Sequence, residues 1–279
     1  MLLTRGGVGL ARGLMLLVTG LSLAGCAGGG RTTETRLVIT GSSTIAPLAA
    51  EIARRFEAGH PGIRVDVQSG GSAQGLADVR RGTADIGMVS RALTPAEHDL
   101  RGEAIALDGI ALIVHRDNPV TTIRSADVRA MATGQVTNWQ ALGGRPGAVS
   151  FVSKAEGRST LELFLAHFDL PRDRLRPQVV IGDNLHAVRT VAGDPQAIAY
   201  VSIGTALVER DHGAPIALLA LDDVDPTLAN VRQGRFPIVR PLTLVTRQAR
   251  TLLADAFLAF ATSPAVRDLV EAQAFVPLD

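Results

Sequence analysis

The chain has 279 residues, 46% hydrophobic and 20% charged, enough to bury one large core or two modest ones. A net charge of +1 and only 4% aromatics exclude a nucleic-acid surface of basic stripe and stacking rings, and leave no platform for sugars. A single cysteine excludes an internal disulfide or a cysteine-pair metal site, and the six histidines are scattered without a spacing such as HExxH, so no metal and no cofactor is expected.

At the N-terminus, Arg5 and Arg12 precede an apolar run, Leu14 to Leu23, that is short for a membrane span of ~20 residues. Leu23-Ala24-Gly25-Cys26 follows and resembles a bacterial lipobox. That resemblance implies a signal peptide over 1–25, cleavage before Cys26 and diacylation of its thiol, with a plain secretory signal or a short span as alternatives. Residues 26–35 are mostly small and polar and read as a flexible tether.

A strand over Arg36–Thr40 runs into a Gly41–Thr44 turn and a helix to about Ala58, where Leu48, Ile52 and Phe56 share a face. A strand over Arg64–Gln68 meets a second glycine-rich turn, Ser69–Gly75, and a short helix through Leu76 and Val79. Its glycines do not have the dinucleotide-binding spacing. Ala84–Arg91 reads as a strand ending in a hydroxyl and a guanidinium, and Thr94-Pro95-Ala96-Glu97 as a capping box. Ile105–Val114 reads as strands broken at Asp108-Gly109 that lead from one domain into the other. Ser125 is placed as the cap of a helix through Val128 and Met131. A strand over Ala148–Ser153 enters a third turn, then a helix from about Ser159 to Phe168. Strands are expected at Val179–Ile181, Ala197–Val201, Ile216–Leu221 and Leu242–Thr246, with a helix near Leu185–Val191. Asp222–Gly234 reads as loop. Two helices close the chain, one carrying Leu253, Phe257 and Phe260, the other starting at Ser263-Pro264.

Alternating strands and helices predict an α/β fold with its ligand at the carboxyl ends of the strands. The turns after Thr40 and after Ser153 each offer unpaired N–H groups, hydroxyls and a helix N-terminus, which together make an anion site. The second also carries Lys154, the one lysine of an otherwise Arg-based chain, and Arg158. The pair predicts two halves closing on one oxyanion. No GxSxG elbow and no cluster of metal ligands accompanies them, so a binding protein without catalysis is expected.

In order, TGSSTIAPL, SGGSAQGL, GTADIGMVSRALTPAE, DGIALIVHRDNPV, TGQVTNW, SKAEGRSTLELF, DPQAIAYVSIG and RFPIVRPL resemble the PstS-like substrate-binding subunits of ABC-type phosphate importers, over nearly the whole mature chain. The resemblance implies a two-lobed type II periplasmic binding protein fold, with mixed, mostly parallel sheets flanked by helices and the ligand cleft between the lobes. It places lobe I at 36–113 and 238–279 and lobe II at 114–237, with hinges near Ile110–His115 and Pro237–Leu244. It implies phosphate contacts from Ser43, Thr44, the Ile45 N–H, Ser72, Ser90, Arg91, Lys154, Gly157, Arg158, Ser159 and Thr160. Lys154 stands where the family has an arginine, and Arg158 and Ser159 replace its usual Ser and Gly. Where Arg91 stands, some members carry an Asp that accepts the phosphate proton; here Asp108 or Glu156 would have to reach the cleft instead. The implied partners are inorganic phosphate, the permease subunits of an importer and a bacterial membrane through the lipid anchor, with the protein a monomer and no nucleic acid involved. Sulfate, molybdate or a sensory role is the alternative.

Overall fold

The structure, a computed structural model, describes residues 35–278. The expected leader, Cys26 and all of the tether but Thr35 lie outside the described residues. Thr35 itself already pairs with Ile63, so the first strand begins one residue earlier than expected.

The first part of the chain runs β1 (Thr35–Gly41), α1 (Ala46–Gly59), β2 (Ile63–Ser69), α2 (Ser72–Arg81), β3 (Ile86–Val89) and β4 (Leu100–His115). Next come β5 (Thr122–Ile123), α3 (Ser125–Ala132), β6 (Ser150–Lys154), α4 (Ser159–His167), β7 (Val179–Ile181), α5 (Asn184–Gly193), β8 (Ala197–Ser202), α6 (Ile203–Asp211), β9 (Ile216–Leu218), β10 (Ala220–Leu221) and α7 (Leu228–Arg232). The chain ends with β11 (Val239–Arg247), α8 (Leu252–Ala261) and α9 (Arg267–Ala272). Nine strands form one mixed sheet in the order β2-β1-β3-β11-β4-β8-β6-β7, with β9 also on β4. β1 pairs in parallel with β2 and β3, and β6 with β7 and β8. The two long crossing strands, β4 and β11, pair antiparallel with each other and with their neighbours.

Each half has its own core. In the first, α1 buries Leu48, Ile52 and Phe56, the face its spacing predicts, and Phe56 meets Phe257 of α8 edge-on at 5.3 Å. In the second, Phe164 of α4 stacks on Tyr200 of β8 at 4.0 Å, and the buried Trp139 donates its indole N–H to Gln196 O at 2.9 Å. Tyr200 connects this core to function. Its hydroxyl lies 2.8 Å from Ser153 Oγ and accepts from the Lys154 amide at 3.1 Å, which fixes the end of β6. Burial pushes the Tyr200 phenol up to about 12, so it stays a neutral hydrogen-bonding group.

β4 corrects the expectation of a break at Asp108-Gly109. It runs unbroken because Asp108 lies directly opposite Arg240 in the β4–β11 register and is neutralised there. Gly109 leaves space for α6, since a Cβ would sit 2.4 Å from Ile203 Cδ1. α6 itself was not foreseen, and α7 occupies part of the stretch read as loop, capped by Thr227 Oγ1 accepting from Asn230 N at 3.2 Å. Ser125 is the first helical residue of α3 and not its cap; its amide donates to Asp222 at 2.8 Å.

Candidate functional site

Four helices begin at one small void. Ser43 and Thr44 precede α1, Ser72 is the first residue of α2, Ser159 of α4 and Asn184 of α5, and all five line it. The N-caps of α1, α2 and α4 make no side-chain cap bond, so three positive dipole ends converge here, with part of their amides already taken by the backbone, Ile45 N by Ser42 O and Ala73 N by Gly157 O. This arrangement follows from strand order: β1, β3, β6 and β7 all deliver their carboxyl ends to the same place. The cavity volume is about 10 Å³, far below the ~300–1,000 Å³ of pockets for larger organic ligands. That is about the space of one water molecule, so a larger guest enters only as the walls part.

The two halves touch across this void. Ala73 N donates to Gly157 O at 3.1 Å, and Asn184 Nδ2 to Thr44 Oγ1 at 3.0 Å. Gly71 sits in the seam with φ +106, and a Cβ there would lie 3.0 Å from Gly157 O and 3.1 Å from the Arg158 side chain. The Arg158 guanidinium thus lies along the joint, and Arg158 lines the void.

Lys154 is 4% exposed and its ammonium donates to Asp183 O at 2.8 Å. Burial, with help from Arg240 and Arg158 and against the pull of Asp183, lowers its pKa to about 7. A compact cation held near its titration point is ready to be recharged by an incoming anion. Ser159 Oγ is buried and has no hydrogen-bond partner among the described residues, although it faces this void. An unpaired buried hydroxyl costs free energy unless a guest satisfies it.

Below the void lies Arg240, 1% exposed, paired with Asp108 at 2.8 Å. Its guanidinium also reaches Thr44 Oγ1 at 3.3 Å, Ser90 Oγ at 3.3 Å and Thr160 Oγ1 at 3.0 Å. One residue therefore touches hydroxyls from three separate turns.

A larger cavity of about 400 Å³ adjoins the void and shares Ser43, Thr44, Asp183 and Asn184 with it. Its other walls include Pro47, Leu185, Val208 and Phe275, and it lacks the cations. Of the two, only the small void is lined by Lys154 and Arg158.

A family model describing a PBP superfamily domain matches residues 27–265. The chain belongs to the PBP superfamily. Within it, the protein is 27% identical over 250 residues to the phosphate-binding protein PstS of Bacillus subtilis, covering 87% of this chain and 80% of that one. It is 22% identical to the phosphate-binding protein PstS of Borreliella burgdorferi, over 85% of this chain and 88% of that one. In structure it resembles a substrate-binding protein assigned to a phosphate ABC transporter of Clostridium perfringens, solved with bound phosphate. The TM-score is 0.82 at 26% identity, over 88% of this chain and 100% of that one. An ABC-type phosphate transport receptor from Vibrio cholerae matches with a TM-score of 0.72 at 26% identity, over 87% of this chain and 100% of that one. The curled mixed sheet flanked by helices is that of PstS-like type II periplasmic binding proteins.

Of the residues that the resemblance to this branch of the PBP superfamily singled out, Ser43, Thr44, Ser72, Ser90, Lys154, Arg158, Ser159 and Thr160 line the void. Arg91 does not, which corrects its assignment. Its guanidinium is held by both Glu97 oxygens at 2.8 Å and by Glu162 at 2.8 Å, leaving it outside the cradle. Those hydrogen bonds, with Glu97 first, hold the Arg91 pKa above its ordinary value, and Arg91 holds Glu97 down to about 2. The Ile45 N–H is turned to Ser42 O at 3.2 Å, and Gly157 contributes its carbonyl to the seam. Neither of the acids considered as proton acceptors faces the void. Asp108 is spent on Arg240, and Glu156 is exposed and paired with Arg172. Sequence reasoning missed Ser42, Gly71, Gly182, Asp183 and Asn184 in the lining, and Arg240 beneath it. Gly182-Asp183-Asn184 carried the same strand–turn–helix signal as the other turns. Arg240 was signalled by a charge inside the apolar run Ile238–Leu242.

Proposed function

We propose that the protein is an extracytoplasmic substrate-binding protein that captures inorganic phosphate between two lobes and delivers it to the permease of an ABC importer. In this reading lobe I comprises 36–113 and 238–279 and lobe II 114–237. The crossing strands β4 and β11 serve as hinges, and Cys26 carries a lipid anchor to a bacterial membrane. The protein acts as a monomer and does no chemistry on its ligand. The observation that carries the reading is the convergence on one small void of four helix N-termini, Lys154, Arg158 and Ser159, whose hydroxyl has no partner among the described residues. These magnitudes suffice: a micromolar ligand needs about 8 kcal/mol, and charge-assisted hydrogen bonds are worth roughly 1.5–3 kcal/mol each. Four or five of them reach that before the cost of association. No helix among the described residues is long and apolar enough to cross a membrane, in keeping with a protein that meets the bilayer through an anchor.

Isothermal titration of the purified domain with phosphate, beside a thermal shift, tests the reading. Micromolar binding and a raised Tm are expected; no heat and no shift with phosphate would end it. A second reading, another oxyanion such as sulfate, is favoured by the pairing of both expected proton acceptors elsewhere, Asp108 with Arg240 and Glu156 with Arg172. Competition between the two anions separates them.

A further inference from the structure

The Arg240 guanidinium has no N–H left for a guest. Nε and Nη2 donate to Asp108 at 3.1 and 2.8 Å, and Nη2 also donates to Thr44 Oγ1 at 3.3 Å. Nη1 serves Thr160 Oγ1 at 3.0 Å and is shared between Ser90 Oγ and Ser90 O at 3.3 and 3.4 Å. An arginine only donates, so all three hydroxyl oxygens are acceptors in these contacts. Thr44 Oγ1 also accepts from Asn184 Nδ2 at 3.0 Å, which fills its second lone pair. Its hydrogen can only point elsewhere. At Ser90 and Thr160 the buried cation repels the positive end of the O–H dipole, which turns each hydrogen away from the guanidinium. All three residues line the void.

Resting on the oxyanion reading above, we propose that Arg240 is a positioning residue for anion selection. It turns the hydroxyl hydrogens of Thr44, Ser90 and Thr160 into the void, so the floor of the cradle only donates and takes only unprotonated oxygens. Phosphate keeps at least one proton near neutral pH and must turn its P–OH to the opposite wall, where Ser159 and Asp183 can accept. Sulfate has no proton to place. Arg240 acts on the guest through the hydroxyls, and its charge is paired with Asp108 at 2.8 Å, so what it contributes to the choice between anions is orientation.

The test is the ratio of sulfate to phosphate affinity at one near-neutral pH, by calorimetry, with the ligand-free melting curve as control. The double variant Asp108→Asn, Arg240→Met keeps the pair neutral overall while releasing the three rotors, and replacement of a buried ion pair by neutral groups is commonly tolerated. Released hydroxyls accept as well as donate. Sulfate binding is therefore expected to weaken more than phosphate binding, by on the order of tenfold, one hydrogen bond's worth. Equal weakening of both anions in a folded variant would overturn the proposal, since a purely structural role moves both alike. Thr44→Val decides independently of whether the double variant folds. It removes a committed donor, so both anions weaken about tenfold with their ratio unchanged; a selective loss of phosphate would show that Thr44 accepts the proton and overturn the assignment. Wild-type protein that binds neither anion would overturn the oxyanion reading itself, a result distinct from any change of ratio.

Discussion

The two walls of the cradle are built from the same strand–turn–helix unit, yet they carry different chemistry. The wall from β1, β2 and β3 presents Ser42, Ser43, Thr44, Ser72 and Ser90, hydroxyls and amides with no free charge. Its nearby cations are spent elsewhere, Arg240 on Asp108 and Arg91 on Glu97. The wall from β6 and β7 presents Lys154 and Arg158. On the proposed reading, one wall attracts a charged guest and the other orients it. The cost also falls on one wall, because a buried ammonium is unfavourable until an anion arrives.

The largest expected effect breaks that asymmetry at Lys154. Lys154→Met should weaken phosphate binding roughly 30–150-fold, the loss of one charge-assisted bond of about 2–3 kcal/mol. The same change should raise the Tm of the ligand-free protein, since it removes a desolvated cation. Calorimetry and melting curves check both. A variant that binds normally would move the attraction to Arg158 alone.

Next come two serines, one per wall. Ser159 Oγ has no partner among the described residues, so Ser159→Ala should cost the ligand-free protein nothing measurable while weakening binding about tenfold. Ser72 Oγ accepts from Ser90 N at 3.3 Å, so Ser72→Ala should lower both stability and affinity. Equal stability losses in the two variants would contradict the view that Ser159 is held for the guest.

Much of this was legible in the sequence. Hydroxyls after an apolar run and before a helical period are local signals, and they led to Ser43, Thr44, Ser72, Ser159 and Thr160. What escaped depends on distant register. Arg240 meets Asp108, Thr44 and Thr160 across 132, 196 and 80 residues, and only the antiparallel pairing of β11 with β4 brings them together. Arg91 was misplaced for a related reason. A strand ending in Ser-Arg reads the same whether the guanidinium turns into the cleft or back to Glu97, six residues on. α6 escaped because Ile203 and Ala206 directly continue the buried run of β8, hiding the change of period at Ser202.

A smaller effect sharpens the comparison through pH. The Lys154 pKa is lowered to about 7 from an ordinary 10.5, so above pH 7 the ligand-free lysine loses its proton and must regain one on binding. Affinity should fall as pH rises above 7, by less than tenfold per unit, with proton uptake visible when calorimetry is repeated in buffers of different ionisation enthalpy. Over the same window the folded ligand-free state holds fewer protons than the unfolded chain, so its stability should rise with pH. Lys154→Met should abolish the uptake that belongs to this lysine. Unchanged uptake in that variant would assign the proton to the ligand or another group.

The smallest effect concerns the rim. Arg91 joins Glu97 on its own wall and Glu162 of α4 on the other, so it acts as a clasp between the halves and not as a ligand for the anion. Glu162 is 44% exposed, and such pairs are worth about 0–1 kcal/mol. Glu162→Gln should therefore raise the Kd no more than about fivefold, through faster release and not slower capture, because a clasp forms only after the walls meet. Stopped-flow dissociation with a trapping excess of a second phosphate-binding protein measures this directly. A direct ligand role for Arg91 predicts the opposite pattern. Freed from Glu162, the guanidinium would be more available, and affinity would hold or improve. The sign of that small change decides whether the outer arginine belongs to the orienting wall or only holds it shut.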